Sequence, residues 1–423
     1  MLDTLKNAWR IEDLRKKIIF TLVMLLVYRI GTFIPVPFVD SAYIKELIGR
    51  GGLLGFFDII SGGAFGNFTI FAMSITPYIN SSIIMQLLTV AIPKLEQLAK
   101  EGEEGRKKIA QYTRYFTVIL AFLQAFGITY GLARDAIAPG DRNIWSYAVI
   151  ALTLTAGTAF LMWLGEQITE KGIGNGISLI IFTSIVSRFP FAVVSLWQMA
   201  IYPGGQISPL LVPVIAAFAV ALIAGVIFVD MGQRRIPVQY AKRVVGRKMY
   251  GGQSTHIPMK VNSSGVLPII FAVSILAVPQ TIAQFWPQSG FGQWVEANFS
   301  QGTWLYAVLY ALLIIFFTYF YTQITFNPIE IANNLKQYGG FVQGIRPGKP
   351  TSDYLLRISN RITLVGSLFL AAVAIIPIIL SAVAGIPMYF GGTAVLIIVG
   401  VALETSKQLE SQMLMRHYKG FLK

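Results

Sequence analysis

Long apolar stretches separated by polar segments recur along the whole chain. An α-helix needs about 20 apolar residues to cross a bilayer, and windows of that length predict membrane-spanning helices. Ten such windows occur, at residues 18–36, 70–92, 115–133, 145–164, 176–200, 210–230, 265–286, 304–325, 362–384 and 392–410. Pro190 and Pro279 interrupt the fifth and the seventh window. The pattern therefore predicts an all-α polytopic membrane protein with ten transmembrane helices.

One apolar segment does not fit this pattern. Residues 52–68, GLLGFFDIISGGAFGNF, contain several glycines and a single charged residue, Asp58. The segment is too short and too rich in glycine to span a bilayer as a helix, and it is too apolar for an ordinary solvated loop. It directly precedes the second predicted span. The hydrophobic pattern alone assigns it no place.

The composition agrees with a membrane protein. Of the 423 residues, 55% are hydrophobic and 13% are charged, and the mean hydropathy is +0.63. A soluble domain carries about 25% charged residues. The chain has no cysteine, which excludes disulfides, thiol catalysis and cysteine-bound metals. The basic stretch at residues 15–17 precedes an apolar run without a small-residue cleavage site, which indicates a retained first span.

The positive charges are concentrated in alternate gaps between the predicted spans. The net charge is +14, and most basic residues lie in the two terminal tails and in the second, sixth and eighth gaps. The opposite gaps hold Lys45, Arg50, Arg134, Arg142 and Arg188. By the positive-inside rule, both termini and two long basic loops, about 231–262 and 326–361, are expected in the cytoplasm. Ten spans with both ends in the cytoplasm also allow two five-helix halves of opposite orientation, at residues 1–205 and 206–423.

Groups typical of an enzyme or an ion-coupled transporter are scarce in the sequence. The histidines His256 and His417 share no helix face with carboxylates at metal-ligand spacing, so we predict no catalytic, metal or cofactor site. The charged residues within or near the ends of spans are Arg29, Glu166 and Glu404. Such groups serve substrates and coupling ions in secondary transporters, or they extend to the membrane interface. A secondary transporter of a small solute is therefore the alternative function, with an intramembrane enzyme further behind.

Isoleucine recurs at helical spacing in two of the predicted spans. Ile75, Ile79 and Ile83 share one face of the second span, and Ile177 and Ile181 repeat the spacing in the fifth. Packing against lipid or protein explains such a stripe. A narrow apolar constriction that resists wetting and blocks ions explains it as well. The spacing alone favours packing against lipid or protein, with the constriction as the alternative.

The two basic loops mix charged residues with aromatic and turn residues. A run of charges usually forms a solvated surface. Two long basic loops on one side of a membrane protein also form a docking surface for a cytosolic partner with an acidic or RNA surface. Both interpretations stay open at this level.

Six distinctive motifs follow one another along the chain: PYINSSIIMQLLTVAIP (77–93), EGEEGRKKIAQYTRY (101–115), MWLGEQITEKGIGNGIS (162–178), RRIPVQYAKR (234–243), QSTHIPMKVN (253–262) and GIRPGKPTSDYL (344–355). Together these motifs resemble the SecY family, whose members form the central subunit of a protein-conducting channel. The resemblance runs from the first span to the last, in order and with similar loop lengths. It implies two inverted halves around an hourglass pore, which passes unfolded secretory polypeptides. It also implies a lateral gate between spans 2–3 and 7–8, through which hydrophobic segments enter the lipid.

The resemblance implies roles for individual residues of the spans. Positions that match the family's pore ring are Ile75, Ile79, Ile177, Ile181, Ile270 and Ile397. Positions at the lateral gate are Asn80, Ile83, Gln124 and Ser274. The polar members of this second set are expected to make a closed gate easier to part.

By the same resemblance, residues 52–68 become a short, half-helical plug that folds back beneath the isoleucine ring. Its residues are Leu53, Leu54, Phe56, Phe57, Asp58, Ile59, Ile60, Gly62, Gly63 and Phe65. Glycine lets such a segment bend and leave when a polypeptide arrives, so we expect it to be only marginally held. Asp58 is expected to face the aqueous funnel rather than to form an ion pair.

The resemblance also implies partners and a location. SecE clamps the two halves, SecG is an accessory subunit, and the SecA ATPase or a ribosome docks on the cytoplasmic loops. Residues expected to engage the motor or ribosomal RNA are Arg243, Arg247, Lys248, Arg346 and Lys349. Precursor polypeptides with signal sequences and the phospholipid bilayer complete the set of partners. The channel itself hydrolyses nothing, and the expected location is the bacterial cytoplasmic membrane.

Overall fold

The structure is a computed structural model. It describes residues 6, 8–49, 53–131, 133–201, 211–240, 243–245, 248–250, 254–286, 288–299, 303–384 and 391–420. The helices are α1 (Glu12–Gly31), α2 (Ser41–Gly49), α3 (Leu53–Ile60), α4 (Thr76–Ala91), α5 (Pro93–Lys100), α6 (Glu103–Gly131), α7 (Ile144–Lys171), α8 (Gly176–Ile201), α9 (Leu211–Met231), α10 (Leu267–Phe285), α11 (Gly290–Asn298), α12 (Trp304–Thr325), α13 (Pro328–Gln337), α14 (Lys349–Ala384) and α15 (Gly392–Gly420). The strands are β1 (Gln233–Tyr240), β2 (Arg243–Val245), β3 (Lys248–Tyr250), β4 (Ser254–Lys260) and β5 (Gly340–Val342).

Every predicted span overlaps a helix, which confirms an all-α polytopic membrane protein. Within the described residues, six stretches are long and apolar enough to cross a membrane on their own. They are Ile144–Lys171, Gly176–Ser195, Leu211–Met231, Trp304–Gln337, Lys349–Leu380 and Gly392–Met415. The other predicted spans coincide with α1, α4, α6 and α10. These helices are shorter, or they begin with charged residues, as α1 and α6 do.

The predicted start of the second span at residue 70 is wrong. Residues 61–75 form successive turns, and α4 begins only at Thr76, with Pro77 in its first turn. Phe68 and Ser74 have φ values of 43° and 53°, which a helix excludes. A hydropathy window counts apolar residues in turns as it counts those in a helix. It therefore merged the two parts.

Both basic loops contain regular structure that the prediction of connecting loops missed. In the first loop β1 pairs antiparallel with β4, from Gln233 opposite Lys260 to Gln239 opposite Ser254. β5, from the second loop, pairs with the other edge of β1. The second loop also contains α13, and α14 begins at Lys349 rather than at residue 362. The sheet buries a small core made of Ile236, Val238, Met259, Leu335, Val342, Leu355 and Ile358.

The chain divides into two compact units. The first comprises Met1–Val212, Val273–Tyr306 and Ile397–Lys423, and the second comprises Pro213–Ala272 and Ala307–Leu396. The second unit contains the small sheet and its core. The two inverted halves at residues 1–205 and 206–423 stay a prediction.

The core of the first unit surrounds the turns that follow α3. Its buried residues are Val36, Ile44, Phe65, Phe68, Ala72, Met73, Ala125, Ala136, Ile137, Ile150, Ala151 and Leu154. The turns lie directly on α7, because a Cβ atom added at Gly157 would be 1.9 Å from the Ile70 carbonyl oxygen. Glycine at this position therefore lets the turns approach the helix backbone. This packing fixes the segment between α3 and α4.

Candidate functional site

The apolar segment predicted as a plug consists of α3 and the turns that follow it. Residues 53–60 are helical, and Gly62 and Gly63 turn the chain with φ values of 66° and 92°. The Gly63 N–H donates to the Asp58 carbonyl oxygen at 2.8 Å, which closes the end of α3. The side chains of Leu53, Leu54, Phe56 and Phe57 lie outside the described part of the structure. Phe65 is buried in the core of the first unit.

The expectation that Asp58 faces water is wrong. Asp58 is 8% exposed, and its carboxylate accepts a hydrogen bond from the Arg188 guanidinium on α8. The Gly66 N–H donates to the other carboxylate oxygen, Oδ1, at 2.7 Å. Burial raises the pKa of the Asp58 carboxyl, while the positive charge of Arg188 and the Gly66 hydrogen bond act in the opposite direction. A carboxylate can be buried here because it has a cation and a backbone donor.

Further polar contacts attach the segment to α1. Arg29 Nη1 donates to the Gly62 carbonyl oxygen at 2.8 Å, and the Tyr28 hydroxyl donates to the Ser61 carbonyl oxygen at 3.1 Å. The Tyr28 hydroxyl also lies 2.6 Å from Ser184 Oγ on α8. The sequence left Arg29 open between a transport role and the membrane interface. In the structure it holds a backbone carbonyl of the turn.

A cavity of about 340 Å³ lies beside this segment, within the first unit. Residues of α4, α6 and α10 line it, together with Phe65 and other residues of the turns. All four residues predicted at the lateral gate are among them: Asn80, Ile83, Gln124 and Ser274. The sequence separates these helices widely, and the fold brings the four positions to one mostly apolar cavity. Their role in gating stays a prediction.

Asn80 is the polar group of this cavity with the most unusual environment. Its side-chain oxygen Oδ1 is buried and has no hydrogen-bond partner among the described residues. A buried acceptor without a partner destabilises the conformation that buries it by about 1–3 kcal/mol. The contact between helices around Asn80 is therefore easier to open than the same contact with an apolar residue at this position.

The isoleucines predicted to form a pore ring are buried to different extents. Ile75, Ile181 and Ile397 are at most 3% exposed, and Ile79, Ile177 and Ile270 are half-buried. Ile75 directly precedes α4, and its carbonyl oxygen accepts from the Ile79 N–H at 3.0 Å. Ile270 belongs to the second unit and the others to the first. The ring stays a prediction.

The residues predicted to dock a motor or a ribosome lie in and beside the short strands. Both Arg346, which lies between β5 and α14, and Lys349, the first residue of α14, are exposed. The Arg346 carbonyl oxygen accepts from Thr351 Oγ1 at 2.8 Å, which fixes the turn that presents both side chains. Arg243 and Lys248 are in β2 and β3, but their side chains lie outside the described residues, as does the whole of Arg247.

The remaining charged residues that the sequence left open have ordinary surroundings. Glu166 on α7 forms an ion pair with Arg114 on α6, with 2.7 Å between Oε1 and Nε. Glu404 on α15 is exposed. Among the described residues, no three histidine, aspartate or glutamate side chains are grouped in a way that could hold a metal ion.

Sequence reasoning missed the contact between Asp58 and Arg188. The residues are 130 positions apart, so no local spacing connects them. The available signal was a single acid in an otherwise apolar segment. Since an isolated buried charge is unfavourable, that acid called for a partner on a neighbouring helix.

Comparisons with known proteins agree over most of the chain. The SecY family model matches residues 69–406. A relative from Halalkalibacterium halodurans, named protein translocase subunit SecY, is 50% identical over 433 residues, which cover 100% of this chain and 100% of the relative.

Two solved structures are similar in fold. One is a structure of a SecY protein whose plug domain is described as stabilising the closed state of the translocation channel and maintaining a membrane seal. Its TM-score is 0.62 and its sequence identity is 20%, and the match covers 94% of this chain and 92% of that chain. The other is Sec61 in the canine ribosome-channel complex from the endoplasmic reticulum, with a TM-score of 0.60, 19% identity and the same coverage of 94% and 92%. At these identities the likeness shows the fold.

Proposed function

The chain belongs to the SecY family, and from this premise we propose that it is the pore-forming subunit of a translocase for unfolded polypeptides. It is a channel subunit and not an enzyme. The full-length relative is a translocase subunit, so the alternative of a small-solute transporter is set aside. The observation that carries the mechanism is that Asn80, Ile83, Gln124 and Ser274 line one cavity, directly beside the apolar segment that contains Phe65.

The first part of the proposal concerns the seal. We propose that the isoleucine ring forms a narrow constriction and that residues 52–68 close it from the external side when no polypeptide is present. β-branched aliphatic side chains are stiff at χ1 and form no hydrogen bonds, so they surround varied side chains without holding any of them. An apolar constriction also resists wetting, which blocks ions. This role is supported by the SecY protein of similar fold, whose plug domain is said to stabilise the closed state of its channel.

The second part concerns the sorting of segments at the cavity. We propose that α4 and α6 separate from α10 there, so that a segment in the pore meets lipid. A central apolar residue favours lipid by roughly 0.3–0.6 kcal/mol, whereas a central charge costs about 2.5–3.5 kcal/mol. Summed over a segment, these differences separate membrane segments from secreted ones without a specific binding pocket.

The third part concerns orientation and partners. We propose that the chain lies in the bacterial cytoplasmic membrane with both termini and the basic loops in the cytoplasm, as the positive-inside rule predicts. A SecE subunit clamps the two inverted halves, with SecG as an accessory. The SecA ATPase or a ribosome docks on the loops, where basic residues suit an acidic surface or ribosomal RNA. The Sec61 complex with a ribosome, similar in fold, supports the second kind of partner.

Reconstitution into liposomes with SecE, SecG, the SecA ATPase and ATP tests the function. We expect a precursor with a signal sequence to become protected from added protease, and a precursor with a charged residue in its signal core to remain accessible. Equal accessibility of both precursors, with a folded and inserted protein, would contradict the proposal.

The same assay tests the docking surface. Arg346→Glu is expected to reduce motor-driven export roughly fivefold to tenfold, since reversing an exposed charge at an interface weakens association. The protein should remain folded, because the Arg346 side chain is exposed and its carbonyl bond to Thr351 is unchanged. Lys6→Glu, which reverses another exposed cytoplasmic charge, is the matched control. Undiminished export by Arg346→Glu would exclude this loop from motor docking.

A further inference from the structure

We propose that Asp58 and Arg188 form a charged latch, supported by Arg29, that holds residues 52–68 in place in the idle channel and separates when a polypeptide enters. The inference rests on the proposed function, in which this segment is the plug. The segment is thus held by specific side chains rather than only marginally.

The ion pair joins the segment to a membrane helix. Asp58 lies near the end of α3, and Arg188 lies on α8, so the pair connects two elements that are distant in sequence. The side chain of Asp58 is 12% exposed and that of Arg188 is 27% exposed. The Arg188 guanidinium also lies over the ring of Phe191, 5.8 Å from its centroid. The α8 side of the contact is thus positioned by its own helix.

The turn sequence accommodates the pair closely. A Cβ atom added at Gly63 would be 2.9 Å from Arg188 Cζ, and one added at Gly66 would be 2.8 Å from Asp58 Oδ1. Gly63 also has a φ of 92°, which other residues rarely adopt. Glycine at both positions therefore lets the guanidinium and the carboxylate lie against the backbone of the segment that they hold.

Arg29 provides a second contact of a different kind. It donates to the Gly62 carbonyl oxygen, a backbone group, so this bond does not need the Asp58 carboxylate. Its guanidinium lies 5.2 Å from the centroid of the Phe33 ring, in the turn that follows α1. Neutralising Asp58 therefore loosens the segment without removing every polar contact.

The physical properties of an ion pair suit a contact that has to open. Coulomb attraction falls in inverse proportion to the dielectric constant, so it weakens severalfold when water reaches the two charges. Both side chains keep some exposure, which lets water reach them as soon as the segment moves. Moreover, Arg188 Nε is buried without a hydrogen-bond partner among the described residues, so opening allows it to be hydrated. A polypeptide that brings water into the pore therefore releases the latch.

The test measures ion conductance of the idle channel in liposomes with SecE and SecG. Asp58→Asn and Arg188→Gln are each expected to raise the conductance about tenfold or more, because one buried charge then lacks its partner. The double variant Asp58→Arg with Arg188→Asp, which exchanges the two charges, is expected to lower the conductance most of the way back to the parental value. Arg188→Lys, which keeps the charge, should conduct less than Arg188→Gln. Asp135→Asn, which breaks a more exposed ion pair with Arg142 in the same unit, is the matched control and should change nothing.

The outcomes separate the latch from the function on which it rests. If Asp58→Asn conducts like the parent while removal of α3 makes the channel leak, the latch is overturned and the proposed function stands. Equal conductance of Arg188→Lys and Arg188→Gln, or an exchange that restores nothing, also overturns a charge-based latch. If removal of α3 causes no leak in a channel that still exports precursor, the plug role itself fails.

Discussion

Replacing α3, residues 53–60, by a glycine and serine linker of equal length is expected to make the idle channel conduct ions while export of polypeptides continues. None of the residues described in the buried core of the first unit belongs to α3. Ser61 and Phe65 are buried at 0% and 2% exposure, so they are retained to keep the first unit folded. Without the helix, we expect water to enter the space beneath the proposed isoleucine ring, so that the dewetted barrier is lost. The conductance should rise by about an order of magnitude or more.

Electrical recording from a planar bilayer measures this result, and protease protection of a precursor measures export. The matched control replaces α5, which has the same length of 8 residues and no buried residue. It should leave the conductance at the parental value. A channel without α3 that stays closed to ions and still exports would show that the ring alone seals the pore. Loss of the folded protein would instead assign α3 to the core of the first unit.

The second large effect is expected at the cavity beside the segment. Asn80→Leu should lower the equilibrium constant for channel opening by roughly 5- to 140-fold, because it removes a buried acceptor that destabilises the closed arrangement by about 1–3 kcal/mol. A factor of ten in an equilibrium corresponds to about 1.4 kcal/mol. Precursors with weakly hydrophobic signals should be affected most, since they supply the least free energy for opening.

Export of two precursors that differ only in the hydrophobicity of the signal measures this effect. Ile84→Leu is the matched control, because Ile84 lines the same cavity and the substitution changes no polar group. Its export of both precursors should equal that of the parent. Easier opening by Asn80→Leu, seen as better export of the weak signal, would contradict a gating role for this buried amide.

The helices that the sequence predicted well are those whose apolar run and helix coincide. α7, α9 and α12 begin within one residue of their predicted spans, since their apolar residues all belong to one helix. The second span was drawn too long because the apolar turns before Thr76 extend the window. The strands were missed for another reason. Ile236 and Val238 are buried and alternate with exposed residues, as in a half-buried strand, but Pro237 and the neighbouring arginines favoured a connecting loop.

The candidate site also contains residues that the sequence predicted and a contact that it did not predict. The positions at the lateral gate came from the resemblance of local motifs, and the fold brings all of them to one cavity. The partner of Asp58 depends on how α8 packs beside α3, which no local pattern encodes. From the sequence, a lone charge in an apolar segment indicates that a partner is needed if the charge is buried. Only the fold shows which residue that partner is.

Disulfide formation between the ring and a stalled polypeptide tests the central claim most directly. The chain contains no cysteine, so a single cysteine at Ile79 and one in a precursor halted midway through export are the only thiols that can react. Leu26→Cys, on α1 and 60% exposed, is the control for a lipid-facing position. If the polypeptide passes through the pore, we expect a disulfide with Ile79→Cys and none with Leu26→Cys. Equal reaction at both positions, or none at Ile79 with the precursor stalled and protected, would contradict the account.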